Sequence, residues 1–562
     1  MSRKSNHFPL ILELLALGLL VLALILPRAA ALGRFVTPDE YKWIARSANF
    51  YKALSDHDFA STFKSGHPGV TVMWAGTLGF LYKFPEYIDL QTGQVNSDDF
   101  HLFMDGKQIS VTPLELLRDS RFVMVILNVI VLAVSYLYAR RLLGTLPALA
   151  SFLLIAFDPF HVGLTRLLHL DGLMGNFILL AILAFLAYLY QEHIIHVVVS
   201  GIAAALGFLT RSPAIALVPV IGLLALSKPW KAFRQHELSL TVIWQTLLPV
   251  LIWLAVIVIT IFAVWPAMWV RPLQTITQVF TIAEDYAVGG HDNAIFFNGQ
   301  VIPSGDLGWR FFYFYPLTYL WRATPVVVFG LAFALWGYLT RRKPFDTPQA
   351  RLTVHGLILL VVIYTLLMTL GGKKFDRYLL PVYPALDIIA GLGWFAIAWL
   401  LWQKRWHGIL HYSPMLILII AFSMQIVAAI RTFPYYLSYY NPLFGGSRKA
   451  PQVMQIGWGE GLDQAALYLN SKPNAKQIRV STFYPTGCFS YFFDGKDHLI
   501  EYTPDITSEA WERFTGADYA VIYISQWQRQ LPKPVLDYVT QLTPEHTIWI
   551  NGLEYARIYK LP

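Results

Sequence analysis

The chain is 562 residues long, 56% hydrophobic and 14% charged, with a mean hydropathy of +0.48. That lies outside the range of ordinary soluble domains and requires a bilayer as solvent. The formal net charge of +8 does not mark a nucleic-acid partner, because Lys and Arg form short clusters between apolar runs, and the single cysteine, Cys488, excludes an intramolecular disulfide and a cysteine metal site.

Apolar stretches at 9–27, 121–138, 147–160, 173–190, 195–209, 213–227, 243–265, 320–340, 352–370, 379–401 and 412–430 predict about eleven membrane spans. Arg3 and Lys4 precede the first, whose apolar core exceeds the ~7–15 residues of a signal peptide, so it reads as a retained anchor. The positive-inside rule places Arg140, Arg141, Lys228, Lys231, Arg234, Arg341, Arg342, Lys343, Lys404 and Arg405 in the cytoplasm, together with the N-terminus. The loops 28–120 and 266–319 and the tail after 431 then share the opposite face.

In the first of these loops, Thr37-Pro38-Asp39-Glu40 precedes Tyr41, Ile44, Ala45, Ala48 and Tyr51, which recur at helical spacing. This predicts an interfacial amphipathic helix with Thr37 as N-cap, Pro38 as its first residue and Glu40 closing a capping box. Asp39 is left over. It is either a general base for an acceptor hydroxyl or an acid that favours a helix N-terminus. Ser65-Gly66-His67-Pro68-Gly69 then leads into Val70–Phe84, too short to span, where His67 is a phosphate or acceptor contact or an ordinary turn residue.

Arg166, His169 and Asp171 crowd a short outer connection, as a functional group or as an Arg166–Asp171 pair joining two helices. Arg211 and the run Gly371-Gly372-Lys373-Lys374-Phe375-Asp376-Arg377-Tyr378 put cations on the face where the positive-inside rule disfavours them. An anionic phosphate or lipid headgroups account for that placement. The 266–319 loop carries Trp309, Phe311, Phe312, Tyr313, Phe314 and Tyr315, with Glu284, Asp285, His291 and Asp292, and is long enough for a lid.

After 455 the pattern changes to short helical and strand-like pieces. Asn551-Gly552 marks a hairpin between Ile548–Ile550 and Leu553–Tyr559, so a small extracytoplasmic α/β domain is expected at 455–562, joined by a linker at 432–454 to the membrane domain at 1–431.

These residues, in this order, resemble the membrane glycosyltransferases of the GT-C fold, in particular the protein O-mannosyltransferase and lipid A aminoarabinose transferase group. The resemblance covers most of the membrane part: Asp39-Glu40 after the first span, His67-Pro68, Arg166 and Asp171, Leu209-Thr210-Arg211-Ser212-Pro213, Tyr313-Phe314-Tyr315-Pro316 and Arg377-Tyr378-Leu379-Leu380-Pro381. Pro434–Pro442 and Gly457-Trp458-Gly459-Glu460-Gly461 resemble uncharacterised bacterial members. The fold class implied is a mainly α, polytopic helix bundle of GT-C type.

The resemblance implies transfer of a sugar from a polyprenyl-phosphate carrier to a hydroxyl acceptor outside the cytoplasm, with inversion. Asp39 would be the base, Asp171 would organise the site beneath it, and Arg211, Lys373, Lys374 and Arg377 would bind the lipid phosphate, with Glu40, His67, Arg166, His169 and Tyr378 as further binding residues. Gly69 stands where the group has a second Pro, and Lys64-Ser65-Gly66 replaces an acid found in some relatives. These departures weaken a divalent cation as cofactor and leave it open. A secondary transporter or flippase of an anionic or lipid-linked substrate is the rival, although transporters concentrate charge at the midplane between paired repeats and here it gathers at outer span ends.

Overall fold

The computed structural model describes residues 10–90, 93–107, 109–237, 239–288, 294–303, 307–404, 412–501, 503 and 505–562. His291, Asp292, Arg3, Lys4 and Arg405 lie outside them.

Eight helices among the described residues are long and apolar enough to cross a membrane, or ten if each of two bent pairs counts as one span. The exact count of eleven is not confirmed. The piece at Ile194–Thr210 falls short of a full crossing, and Thr145–Phe157 turns by 68° into Pro159–Thr165, while Trp309–Arg322 turns by 112° into Pro325–Leu339. Local chemistry explains these breaks. Asp158 accepts a hydrogen bond from the His161 backbone N–H at 2.7 Å and so restarts the helix at Pro159. Thr324 caps the helix that begins at Pro325.

The helix Leu170–Gln191 is the bundle's axis and is buried over most of its length, whereas Leu10–Ala29 and Leu240–Val264 bury little and turn side chains such as Leu19, Leu22, Val258 and Ile259 outward. That distribution fits helices whose outer faces meet lipid tails.

The first loop folds into Glu40–Ser55 and Val70–Lys83, close to the expected interfacial helices. The N-terminal signal differs. The helix begins at Glu40 with Asp39 at the cap position and no side-chain cap bond, and the Glu40 carboxylate accepts from the Thr37 N–H at 3.1 Å while its main partner is Arg121.

The C-terminal part is a five-stranded mixed sheet. Arg479–Thr482 runs parallel to Lys496–Leu499 on one side and to Tyr519–Tyr523 on the other; Leu553–Lys560 is antiparallel to Tyr519–Tyr523, with His546–Ile550 at the edge. Asn551 and Gly552 both take positive φ, as a two-residue hairpin turn requires. A short hairpin, Ile295–Phe297 with Gln300–Ile302, leaves the long aromatic loop and docks on the segment after 450, where the Asn298 N–H donates to the Val453 carbonyl at 2.7 Å.

Candidate active site

Three turns that are remote in sequence meet at one end of the bundle. Asp39 precedes the interfacial helix, His169 caps the axial helix with Asp171 in its first turn, and Arg377 opens the final turn before the helix Tyr383–Gln403. His169 lies between the two acids, its Nε2 3.3 Å from Asp39 Oδ2 and its Nδ1 3.6 Å from Asp171 Oδ2. Arg377 does the same from the other side, 3.4 Å from Asp39 Oδ2 and 3.7 Å from Asp171 Oδ2. Arg211, extended just past the helix Ile194–Thr210, forms an ion pair with Asp171 and lies 4.2 Å over the Tyr378 ring.

Asp39 and Asp171 have different surroundings. Asp171 is fully buried and tethers two arginines and a histidine, so it positions cations. The Asp39 side chain is 35% exposed and opens on a cavity of about 510 Å³. Burial pushes its carboxyl up, but the hydrogen bond from His169 and the charge of Arg377 outweigh that and hold it well below the usual carboxylate range. It is therefore ionised at neutral pH.

His67 belongs to the same electrostatic neighbourhood. Burial first, then the charges of Arg211, Lys373 and Arg46, hold its imidazole well below its ordinary value, so it is neutral and can take part in hydrogen bonds without adding charge. Its loop is clamped to the end of Ile194–Thr210: the Gly69 N–H donates to the Thr210 carbonyl at 3.2 Å, and the Thr71 and Thr210 hydroxyls are 2.7 Å apart. Gly69 has φ +61°, and a Cβ there would lie 2.2 Å from the Trp43 ring. The departure from Pro at this position thus has a local cause, since proline cannot adopt that φ.

Three expected binding residues are committed elsewhere. The Glu40 carboxylate is fully buried, bonded at 2.7 and 2.6 Å by Arg121 and also accepting from the Leu168 N–H at 2.9 Å. Arg166 does not reach Asp171. It donates to the carbonyls of Ala30 and Pro434 and lies over the Tyr436 ring, tying the end of the first helix to the segment after the last. Lys374 borders the cavity, but its ammonium donates to the carbonyls of Met368, Thr369 and Gly371 that end the helix Pro348–Leu370, and burial pushes it down to about 8.

Sequence reasoning gave no role to Trp458. Its ring stacks under Arg377 at 4.2 Å and meets His169 edge-on at 4.9 Å. Gly459 makes that reach possible, because a Cβ there would lie 2.2 Å from the Val36 carbonyl oxygen, three residues before Asp39. The repeated glycines of Gly457-Trp458-Gly459-Glu460-Gly461 were the available signal. Asp376, also unassigned, holds Arg322 at 2.8 and 2.7 Å. Glu284 and Asp285 are exposed on the helix Pro272–Val288. Among the described residues no group of three or more His, Cys, Asp or Glu side chains is disposed to hold a metal ion.

Residues 116–269 match the family described as dolichyl-phosphate-mannose-protein mannosyltransferase. Over that segment the chain is similar to this mannosyltransferase family. The matched segment holds His169, Asp171 and Arg211 and ends before Arg377. No curated protein matches the chain. Among solved structures, ArnT from Cupriavidus metallidurans bound to undecaprenyl phosphate is 11% identical over 98% of each chain, with a TM-score of 0.45. The Archaeoglobus fulgidus oligosaccharyltransferase in the apo form is 10% identical over 94% of this chain and 71% of its own, also at 0.45. The S. cerevisiae protein O-mannosyltransferase Pmt1-Pmt2 complex bound to the sugar donor is 18% identical over 48% of this chain and 35% of its own, at 0.36.

Proposed function

We propose that the protein moves a monosaccharide from a polyprenyl-phosphate carrier to a hydroxyl acceptor on the extracytoplasmic face, with inversion at the anomeric carbon. The observation that carries this reading is the meeting of one cavity-facing carboxylate, Asp39, with Arg377, a cation from the far end of the membrane part.

The acceptor oxygen attacks the anomeric carbon as its bond to the phosphate oxygen breaks, and the hydroxyl proton passes to Asp39. Charge develops on the departing phosphate, where Arg377, Arg211 and Lys373 stabilise it. Asp171 and His169 hold these groups in register. Arg377 couples the two events: while it faces Asp39 it weakens that carboxylate as a base, and as it turns to the phosphate the proton affinity of Asp39 rises. Single displacement at one carbon accounts for inversion. The basic turns between spans support a cytoplasmic N-terminus, with this cavity and the C-terminal sheet on the opposite side.

The test supplies purified protein with radiolabelled polyprenyl-phosphate sugars and hydroxyl acceptors. Release of polyprenyl phosphate in step with labelled product of inverted configuration is expected. Uptake of solute or lipid by reconstituted vesicles with no sugar transfer would instead establish the transporter.

A further inference from the structure

The cavity at Asp39 is not a pocket of the membrane part alone. Its walls include Trp458, Tyr484 and Arg529, all from the C-terminal part of the chain, facing Asp39, Lys42 and Arg377. Its charges fall into two sets. Arg377 pairs with Asp39, Arg322 with Asp376, and Lys374 is held by three carbonyls. Arg529 and Lys42 are different.

Arg529 closes the short helix Ile524–Arg529 and is only 5% exposed. Its Nε donates to the Ser525 carbonyl of its own helix at 3.2 Å, and among the described residues no carboxylate pairs with its guanidinium. Lys42 likewise makes no ion pair among the described residues, and its closest aromatic contact is the neighbouring Tyr41 ring. A guanidinium taken almost wholly out of bulk water and left without a counter-charge is costly unless something anionic arrives. The acids that share the cavity do not provide it. Asp98 is bonded by the Tyr41 hydroxyl, and Glu460 accepts from the Tyr523 hydroxyl and the Trp458 N–H, with burial pushing its carboxyl up.

We infer that Arg529, assisted by Lys42, forms an oxyanion subsite contributed by the C-terminal domain, which binds a phosphate or carboxylate on the acceptor. This rests on the glycosyl-transfer reading for the word acceptor and on geometry for the subsite. The proposed function already assigns the donor phosphate to Arg377, which lines the cavity, and to Arg211, which shares Asp171 with it. A second cationic patch on the wall supplied by the C-terminal part therefore suits the second substrate, and Arg529 acts as a specificity group that selects hydroxyl acceptors carrying negative charge.

Two measurements test this. Inorganic phosphate titrated into the full-length protein in neutral detergent should bind saturably. Arg529→Gln should weaken that binding about tenfold, the loss expected for one charged hydrogen-bonding group, and Arg529→Lys should keep most of it. In the transfer assay, with phosphatidylglycerol as a hydroxyl-bearing anionic acceptor and octyl glucoside as a neutral one, Arg529→Gln should raise the KM for phosphatidylglycerol about tenfold. Phosphate binding equal to wild type in Arg529→Gln overturns the subsite, and a rise in donor KM in place of acceptor KM reassigns Arg529 to the donor and overturns the inference. Phosphate binding that depends on Arg529 in a protein that transfers no sugar keeps the subsite and removes the glycosyl-transfer reading.

Discussion

Asp39 and Glu40 are consecutive carboxylates with opposite surroundings. Glu40 points beneath the first loop, where Arg121 and the Thr37 and Leu168 N–H groups saturate its oxygens and no surface is left to water. Asp39 points above the loop, keeps a third of its side chain open and meets Arg377 and His169 at 3.4 and 3.3 Å. Burial is the largest influence on both, and in both it is outweighed by cations or hydrogen bonds, so both are ionised. What separates them is unfilled capacity. A saturated buried pair holds structure, and a half-open pair beside a cavity can exchange its partner for a substrate.

The comparison breaks most visibly at Arg121. Arg121→Ala leaves the Glu40 charge buried without its cation and should destabilise the fold by about 3–5 kcal/mol, read as a large loss of thermal stability or of folded protein in detergent. If Arg121→Ala melts like wild type, the Arg121–Glu40 pair does not anchor the first loop.

Arg377→Gln sharpens the other side. Stability should change little, because its pair with Asp39 is partly open to solvent and buried Asp171 keeps Arg211 as its counter-charge. Transfer should fall about 10²–10³-fold through loss of one group that stabilises the leaving phosphate. The pH profile moves too. With its folded-state value depressed, the wild-type carboxylate stays ionised as pH falls, so kcat/KM should hold level from neutral pH to below the ordinary Asp value of about 3.9. Arg377 is one of the causes that lower that value, and removing it should shift the acid limb to higher pH. An unmoved limb would detach Asp39 from Arg377.

A smaller effect is expected at Gly69. Gly69→Ala sets a Cβ at φ +61° against Trp43 and should cost about 1–3 kcal/mol, with a reduced rate because the His67 loop shifts. Unchanged stability and rate together would show that this loop tolerates a wider turn.

Much of the architecture was legible because it rests on local pattern. Apolar runs gave the spans, Asn551-Gly552 the hairpin, and the acid and cations at outer span ends a common face. Long-range partners were not legible. Nothing near Glu40 announces Arg121, and Arg166 lies five residues from Asp171 yet bonds the carbonyls of Ala30 and Pro434. Lys374 and Lys373 are indistinguishable in sequence, and only the frayed carbonyls of the preceding helix claim Lys374. Trp458 and Arg529 were hidden for a related reason, since the sequence marks their part of the chain as a small α/β domain outside the membrane and does not show which of its residues reach the cavity. The exact span count was not legible, because Asp158-Pro159 and Thr324-Pro325 bend two apolar stretches and Ile194–Thr210 is short.

The most direct measurement is single-turnover sugar transfer at saturating donor by Asp39→Asn, with donor binding followed in the same sample. The amide keeps the shape and can still bond to its neighbours, but it cannot accept the proton. Donor should bind and the transfer rate should fall about 10²–10⁴-fold. A wild-type rate in Asp39→Asn with donor fully bound would contradict the account at its centre.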